Sequence, residues 1–377
     1  MTKGQITGLG IAIEKRVITP ALLATLMFGI TGLGYIILMW LFANFTLGKN
    51  SVESHGIAHS ESSRLGGLVI GIVFISYIAG LMFFSPYTPG FVRSNDFAYI
   101  WSAVFICCML GLAEDFKSDF LSAKLRLSTK FFVFGLLLYL VPQLIPQSLG
   151  VPGLDRLLSN DFIAWCLTTV FCVGFINAFN MADGANGLVP GIATIALIIF
   201  FSIYARPAEG ALLFTCSIFL LFNVFTGRFF LGDMGSYGLG AIVVVYGLLG
   251  VIQGDFSAAM MAALLAYPCL DFLTSIGRRL ARGYSPFAAD NGHLHNLIYR
   301  WLQTRFKSRM VANSVTGVLI SLSSSGLVLL GYLNNWWPPT SAEWMWIFIL
   351  QVTLYCSAMV ALRRAGFVTE YKNPQDA

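Results

Sequence analysis

The feature that most constrains this chain is a succession of apolar runs close to the 20 residues an α-helix needs to cross a bilayer core. About eleven follow one another, at 21–45, 65–84, 98–113, 129–148, 162–180, 186–204, 211–226, 236–252, 257–277, 312–333 and 344–362. Only 11% of the residues are charged, less than half the share of roughly a quarter that covers a soluble domain. The expected fold class is an all-α polytopic membrane protein with about 11 transmembrane helices (10–12). The runs at 98–113 and 211–226 are short for straight spans and read as re-entrant or tilted. Residues 1–16 are polar and mixed, and the first run is too long for a cleavable leader. Residues 1–377 are expected to form one integral membrane domain, with a long loop at 278–310 and a tail at 363–377 on the cytoplasmic side.

Lysines and arginines set the orientation. Loops carrying His55, Asp115, Asp183, Asp233 and His293, with the C-terminal tail, are placed on one side. Of the 23 basic residues, only Lys3, Lys15, Arg16, Arg93, Arg156 and Arg206 then fall on the other. The rich side is therefore cytoplasmic. Lys15 and Arg16 conflict with this unless the first run is a surface helix or hairpin. The net charge of +5 suits anionic membrane lipids and requires no nucleic acid. All seven cysteines lie in apolar runs and read as small hydrophobes.

The acids are few, and they gather at run ends: Glu114, Asp115 and Asp119 in "GLAEDFKSDF", Asp183 in "NMADGANG", Asp233 in "FFLGDMGSYGLG" and Asp290 in "FAADNGHLHN". A charge deep in lipid costs about 2.5–3.5 kcal/mol and much less near a span end, so each acid alone could simply mark where a helix leaves the membrane. That reading stays open for Asp119 and Asp290. It fails for the set, because a helix end needs one cap, whereas these ends add neighbouring carboxylates, glycines and asparagines on one side. Carboxylates crowded into one headgroup layer repel unless a hard cation lies among them, which points to Mg²⁺, with Mn²⁺ as a substitute. Asn177, Asn180 and Asp183 recur at spacing three, on one arc of a helix. Ser236 can cap the helix after Asp233, and free amides at that start favour phosphate oxygens. His293 and His295 would diverge by roughly 200° on a helix, so a shared target requires a loop; they read as phosphate donors. Only Asp271, in "YPCLDFLTS", sits deep in a run.

Five blocks in this order, "SRLGGL", "GLAEDFKS", "NAFNMADGANGL", "FNVFTGRFFLGDMGS" and "SPFAADNGHLHN", resemble the polyprenyl-phosphate N-acetylhexosamine-1-phosphate transferases. The resemblance covers about residues 20–330. It implies Mg²⁺-dependent attack of undecaprenyl phosphate on the β-phosphorus of a UDP-sugar, GlcNAc being favoured, with release of UMP. It implies cytoplasmic catalytic loops in a bacterial inner membrane, a first step of surface polysaccharide synthesis such as O-antigen, and a possible homodimer. By the same resemblance Glu114 and Asp115 handle the lipid phosphate, and Asp233 and Asp183 hold the metal. Asn177, Asn180, Gly184 and Asn186 line the nucleotide pocket. His293 and His295, with Arg64 and Lys124, contact phosphate.

The chain departs from the family pattern in four places. Glu114 replaces the first of two aspartates, Asn186 stands where a second aspartate is common, the loop reads H-L-H-N, and "VFTGR" replaces a proline-containing form. QuiNAc, FucNAc and GalNAc remain alternative sugars. An ion-coupled transporter, motivated by Asp271, and a catalytically silent scaffold are the alternative functions.

Overall fold

The computed structural model describes residues 15–44, 63–84, 95–117, 120–285 and 290–367. His55, Asp119, residues 286–289 of the last block and the tail beyond 367 lie outside the described residues. The described chain is helical: α1 (Lys15–Asn44), α2 (Gly66–Phe84), α3 (Asn95–Phe116), α4 (Ala123–Leu140), α5 (Pro152–Leu158), α6 (Asp161–Ala182), α7 (Leu188–Tyr204), α8 (Pro207–Thr226), α9 (Gly232–Gln253), α10 (Ala258–Leu264), α11 (Ala266–Ala281), α12 (Leu294–Gln303), α13 (Arg309–Ser321), α14 (Leu327–Leu333) and α15 (Trp344–Arg364). A π-turn at Leu322–Gly326 joins α13 to α14. No strand forms among the described residues, where extended backbone pairs only in one parallel bridge, Ser63 with Phe229.

Seven helices are long and apolar enough to cross a membrane, or eight if α10 and α11 count as one broken span. The count of eleven is thus not confirmed. Apolar run length counts helices wrapped by other helices together with true spans. With 17 residues, α7 rises about 25 Å, short of a core of roughly 30 Å, and it is buried from Leu188 to Phe200 except at Ile198. The runs at 98–113 and 211–226 are not re-entrant. They belong to the long helices α3 and α8, which continue through polar flanks that the run lengths left out. The break lies instead between α10 and α11, bent by 74°.

The first run is also not straight. Gly29 has φ 63° and ψ −151°, and a side chain added at Gly32 would meet the carbonyl of Ala24. A straight helix holds residues eight apart about 12 Å from each other, so α1 folds back sharply at Gly29. Length and composition alone admit α1 to the seven, and its bend leaves two shorter arms.

Burial ranks the helices from the centre outward. The apolar window of α9 is 83% buried, against 22% for those of α1 and α15. Helices α2, α3, α6 and α7 pack around α9, and α2, α3 and α6 meet its first turn. The periphery presents large apolar side chains, Phe132, Tyr139 and Phe162 each at least 70% exposed. That surface suits lipid and would be unstable in water.

Candidate active site

The site is built around the first turn of α9. The segment before it runs beside the "SRLGGL" block. Ser63 N–H donates to the Arg228 carbonyl at 3.1 Å, Phe230 N–H to the Ser63 carbonyl at 2.9 Å, and Gly67 N–H to the Leu231 carbonyl at 2.7 Å. Two blocks more than 160 residues apart are thereby zipped together. Gly232 turns the chain into α9 with φ +73°. A Cβ there would meet the Arg64 carbonyl and both carboxylate oxygens of Asp115, so this left-handed, crowded position requires glycine.

The cap of α9 comes from another helix. Asp115, at the end of α3, accepts from the N–H groups of Asp233 at 2.8 Å and Met234 at 2.9 Å. Ser236 was the expected cap; it lies further into the helix, accepting from Asn180 at 2.9 Å. The amides expected to meet phosphate are likewise taken by Asp115. The carboxylate satisfies two orphan donors and the positive end of the dipole together.

Glu114 precedes Asp115 but faces α4. It accepts from Leu121 N–H at 3.3 Å and lies 3.4 Å from Arg126. The same guanidinium is 3.3 Å from Asp233. Arg126 therefore bridges two of the expected catalytic acids. One turn on, the buried Lys130 donates to Asn177 Oδ1 at 2.5 Å and sits 3.8 Å over the Tyr237 ring. Neither Arg126 nor Lys130 was expected here, because both were read only as markers of membrane side. Their spacing of four was the available signal. Lys124, which was expected, is exposed on α4, whereas Arg64 lies close enough to act on the Asp115 carboxylate.

On α6 the spacing of three does align one arc. Asn177 meets Lys130, and Asn180 donates to Asp233 Oδ1 at 2.8 Å. Asp183, immediately beyond the helix, faces the same first turn of α9. Burial pushes its carboxyl up to about 8, repulsion from Asp233 and Asp115 adds to this, and the Gly232 N–H opposes it. Asn186 points elsewhere. It is buried against α13, where its N–H donates to Asn313 Oδ1 at 3.0 Å and its side-chain amide to Ser314 Oγ at 3.2 Å. Asn186→Ala is expected to lower stability by about 1 kcal/mol while leaving KM for the sugar nucleotide within about twofold, checked by thermal unfolding and steady-state kinetics.

The two histidines do converge. His293 is extended, with φ −62° and ψ 145°, and precedes α12, so the helical offset does not apply. The rings of His293 and His295 stack at 5.2 Å with 10° between planes. His295 Nε2 faces Gly184, where an added Cβ would collide with the ring, so the loop joins the site through the Asp183–Gly184 turn. Burial pushes His295 down to about 4, against the pull of Asp271, leaving it neutral near pH 7. Asp271 was read as a lone deep acid; it is 2.6 Å from His293 Nδ1.

Among the described residues no three His, Cys, Asp or Glu side chains close into a metal cage. Mg²⁺ seldom needs one, since it commonly binds one or two carboxylates and completes its shell with water and substrate phosphates. Asp183 and Asp233, held against each other around one helix start, fit that demand. Asp115 does not, its oxygens being committed to amides.

The profile of glycosyl transferase family 4 matches residues 97–251, from α3 to the end of α9. The chain is 30% identical over 314 residues to the undecaprenyl-phosphate α-N-acetylglucosaminyl 1-phosphate transferase of Escherichia coli (strain K12), covering 78% of this chain and 80% of that one. It is 27% identical over 322 residues to a probable undecaprenyl-phosphate N-acetylglucosaminyl 1-phosphate transferase of Bacillus subtilis (strain 168), 82% of each chain. A phospho-N-acetylmuramoyl-pentapeptide-transferase of Synechococcus is 35% identical over 147 residues, 38% of this chain and 42% of that one. With four separated blocks drawn onto one helix start, the histidine loop joined to them at Gly184, and similarity sustained over more than three quarters of its length, this chain belongs to glycosyl transferase family 4.

Proposed function

We propose that the protein transfers a sugar 1-phosphate from a UDP-N-acetylhexosamine, GlcNAc foremost, to undecaprenyl phosphate, releasing UMP. The carrying observation is the convergence of Asp183, Asp233 and Asp115 on the first turn of α9, with Arg126 between Asp233 and Glu114. Phosphoryl transfer needs positioning and charge neutralisation more than covalent help. The lipid phosphate oxygen forms a bond to the β-phosphorus as the bond to the bridging oxygen of UMP breaks. Asp233 and Asp183 would hold Mg²⁺, which supplies neutralisation of the diphosphate. Arg126, already shared between two carboxylates, can exchange one of them for a phosphate.

Of the adjacent acids, Glu114 rather than Asp115 is proposed to take or orient a proton of the lipid phosphate. Asp115 is fixed by two amides at the start of α9, whereas Glu114 faces α4 and the partly exposed Arg126. An apolar pocket of about 250 Å³, lined by Ser63, Leu65, Leu68, Val69 and Ile72 with Phe42 and Phe229, suits the first isoprene units. The active site is proposed to face the cytoplasm of a bacterial inner membrane, where the product would start a surface polysaccharide.

The test is UMP release from a panel of UDP-N-acetylhexosamines with undecaprenyl phosphate; no release with any of them would sink the proposal. Mg²⁺ has a separate readout. Asp183 titrates near 8 in the fold against 3.8 ordinarily, so the native state binds the extra proton between those values. Without metal, stability therefore falls as pH rises through that window. Mg²⁺ must displace the proton, so excess Mg²⁺ is expected to raise Tm more above about pH 8 than near pH 6. Asp183→Asn should flatten that difference. A Tm indifferent to Mg²⁺ at both pH values would remove Mg²⁺ from this site.

A further inference from the structure

We propose that Asp271 is the positioning residue for His293, and that with Tyr267 it sets which nitrogen each histidine of the H-x-H loop presents to substrate. One stripe of α11 carries the loop, for Asp271, Ser275 and Arg278 fall at i, i+4 and i+7. Ser275 Oγ donates to Asp290 at 2.5 Å and Arg278 to the same carboxylate at 2.6 Å. Gly292 N–H closes the turn on Asp290 at 2.9 Å. Asp271 holds the other end. It is 1% exposed and accepts from Leu294 N–H at 3.0 Å and from the Tyr355 hydroxyl of α15 at 2.9 Å. His293 Nδ1 completes its shell at 2.6 Å.

Hydrogen-bond bookkeeping then assigns the tautomers. A buried carboxylate can only accept, so His293 carries its proton on Nδ1 and presents Nε2 away from Asp271. The Tyr267 hydroxyl already accepts from His295 N–H at 3.2 Å. With its own proton directed to His295 Nδ1, 3.0 Å away, it would leave the His295 proton on Nε2. The loop thus offers an N–H donor at His295 Nε2 beside a histidine whose Nδ1 is anchored on Asp271. Around the Asp271–His293 pair stand Tyr355 of α15, which donates to Asp271, and His295 of α12, stacked on His293 with Tyr267 of α11 at its Nδ1, while Asp290 and Arg278 pair at the other end of the loop. Asp271 is the one in direct contact through a carboxylate.

This inference rests on the transferase reading for its role, but not for its geometry, and the experiment separates the two. Histidine-labelled ¹⁵N NMR of the full chain in detergent resolves four histidines, assigned with His293→Gln and His295→Gln. Asp271→Asn should lower the proton affinity of His293 about tenfold or more. Tyr355→Phe removes a competing donor from Asp271 and should raise it. The pH limb of kcat/KM for UMP release should move in the same two directions. A merely structural Asp271 would leave both the titration and the limb in place, overturning the proposal. A shifted titration with an unmoved limb would also overturn it, while the transferase reading stood. Absence of UMP release by the unmodified protein would sink that reading alone, and the NMR arm would still judge the Asp271–His293 pair. Should Asp271→Asn fail to fold, Tyr355→Phe decides the direction by itself.

Discussion

Asp233→Asn is expected to leave the protein folded and to reduce UMP release by about 10³-fold, the scale on which removal of one preorganised charge-stabilising group acts. The fold should survive because the side chain is 26% exposed and its ion pair with Arg126 spans 3.3 Å. A pair of that exposure contributes no more than about 1 kcal/mol. The amide oxygen can still accept from Asn180. What disappears is the charge at the point where Arg126, Asn180 and the start of α9 are all directed. Turnover and Tm measured on the same preparation decide the matter. Near-normal turnover would take Asp233 out of the chemistry.

The second large effect is predicted for Gly111→Ala. Here α3 crosses the start of α9 so closely that a Cβ at Gly111 would lie on the carbonyl of Asp233 and the N–H of Met234. Backbone on both sides leaves nothing flexible to yield. The helices must part, at an overpacking cost of about 1–3 kcal/mol. Parting them also pulls Asp115 from the two amides it caps, each bond to a charged group being worth about 1.5–3 kcal/mol. Tm should fall by at least about 5 °C, and activity should fall with it, because Asp233 starts the helix that is displaced. Gly174→Ala on α6, with nothing within 4 Å of the new Cβ, is the control and should be neutral or slightly stabilising. Equal Tm values for the two variants would show that the α3–α9 contact is looser than described.

Much of this site was legible one dimension at a time. Glu114, Asp115, Asp183 and Asp233 stood out because ionised groups at the ends of apolar runs are costly to retain without a use. Asn177 and Asn180 stood out through their spacing. Arg126 and Lys130 did not, since a basic residue near a span end already has an explanation in membrane topology. The partner of Asp271 was not legible for a related reason. Depth within an apolar run says how far along a helix a residue lies, not which neighbour covers it. Asn186 was assigned to the pocket by its neighbours in sequence, but the positive φ of Gly187 begins α7 there, and the side chain turns to α13.

By itself the sequence determined that the chain enters the membrane as helices, and that its polar groups collect at one set of helix ends. Hydrocarbon leaves no other way to satisfy the backbone, and charge is tolerated only near its edge. The tertiary structure alone decided which apolar runs are long enough to be spans and which are wrapped by their neighbours. It also decided that Asp115 caps α9 while Glu114 faces Arg126, and that Asp271 reaches His293. Those outcomes depend on the rotation of each helix about its axis and on which backbones approach within contact. Rotation and approach are set by packing between segments far apart in the chain, and no local pattern records them.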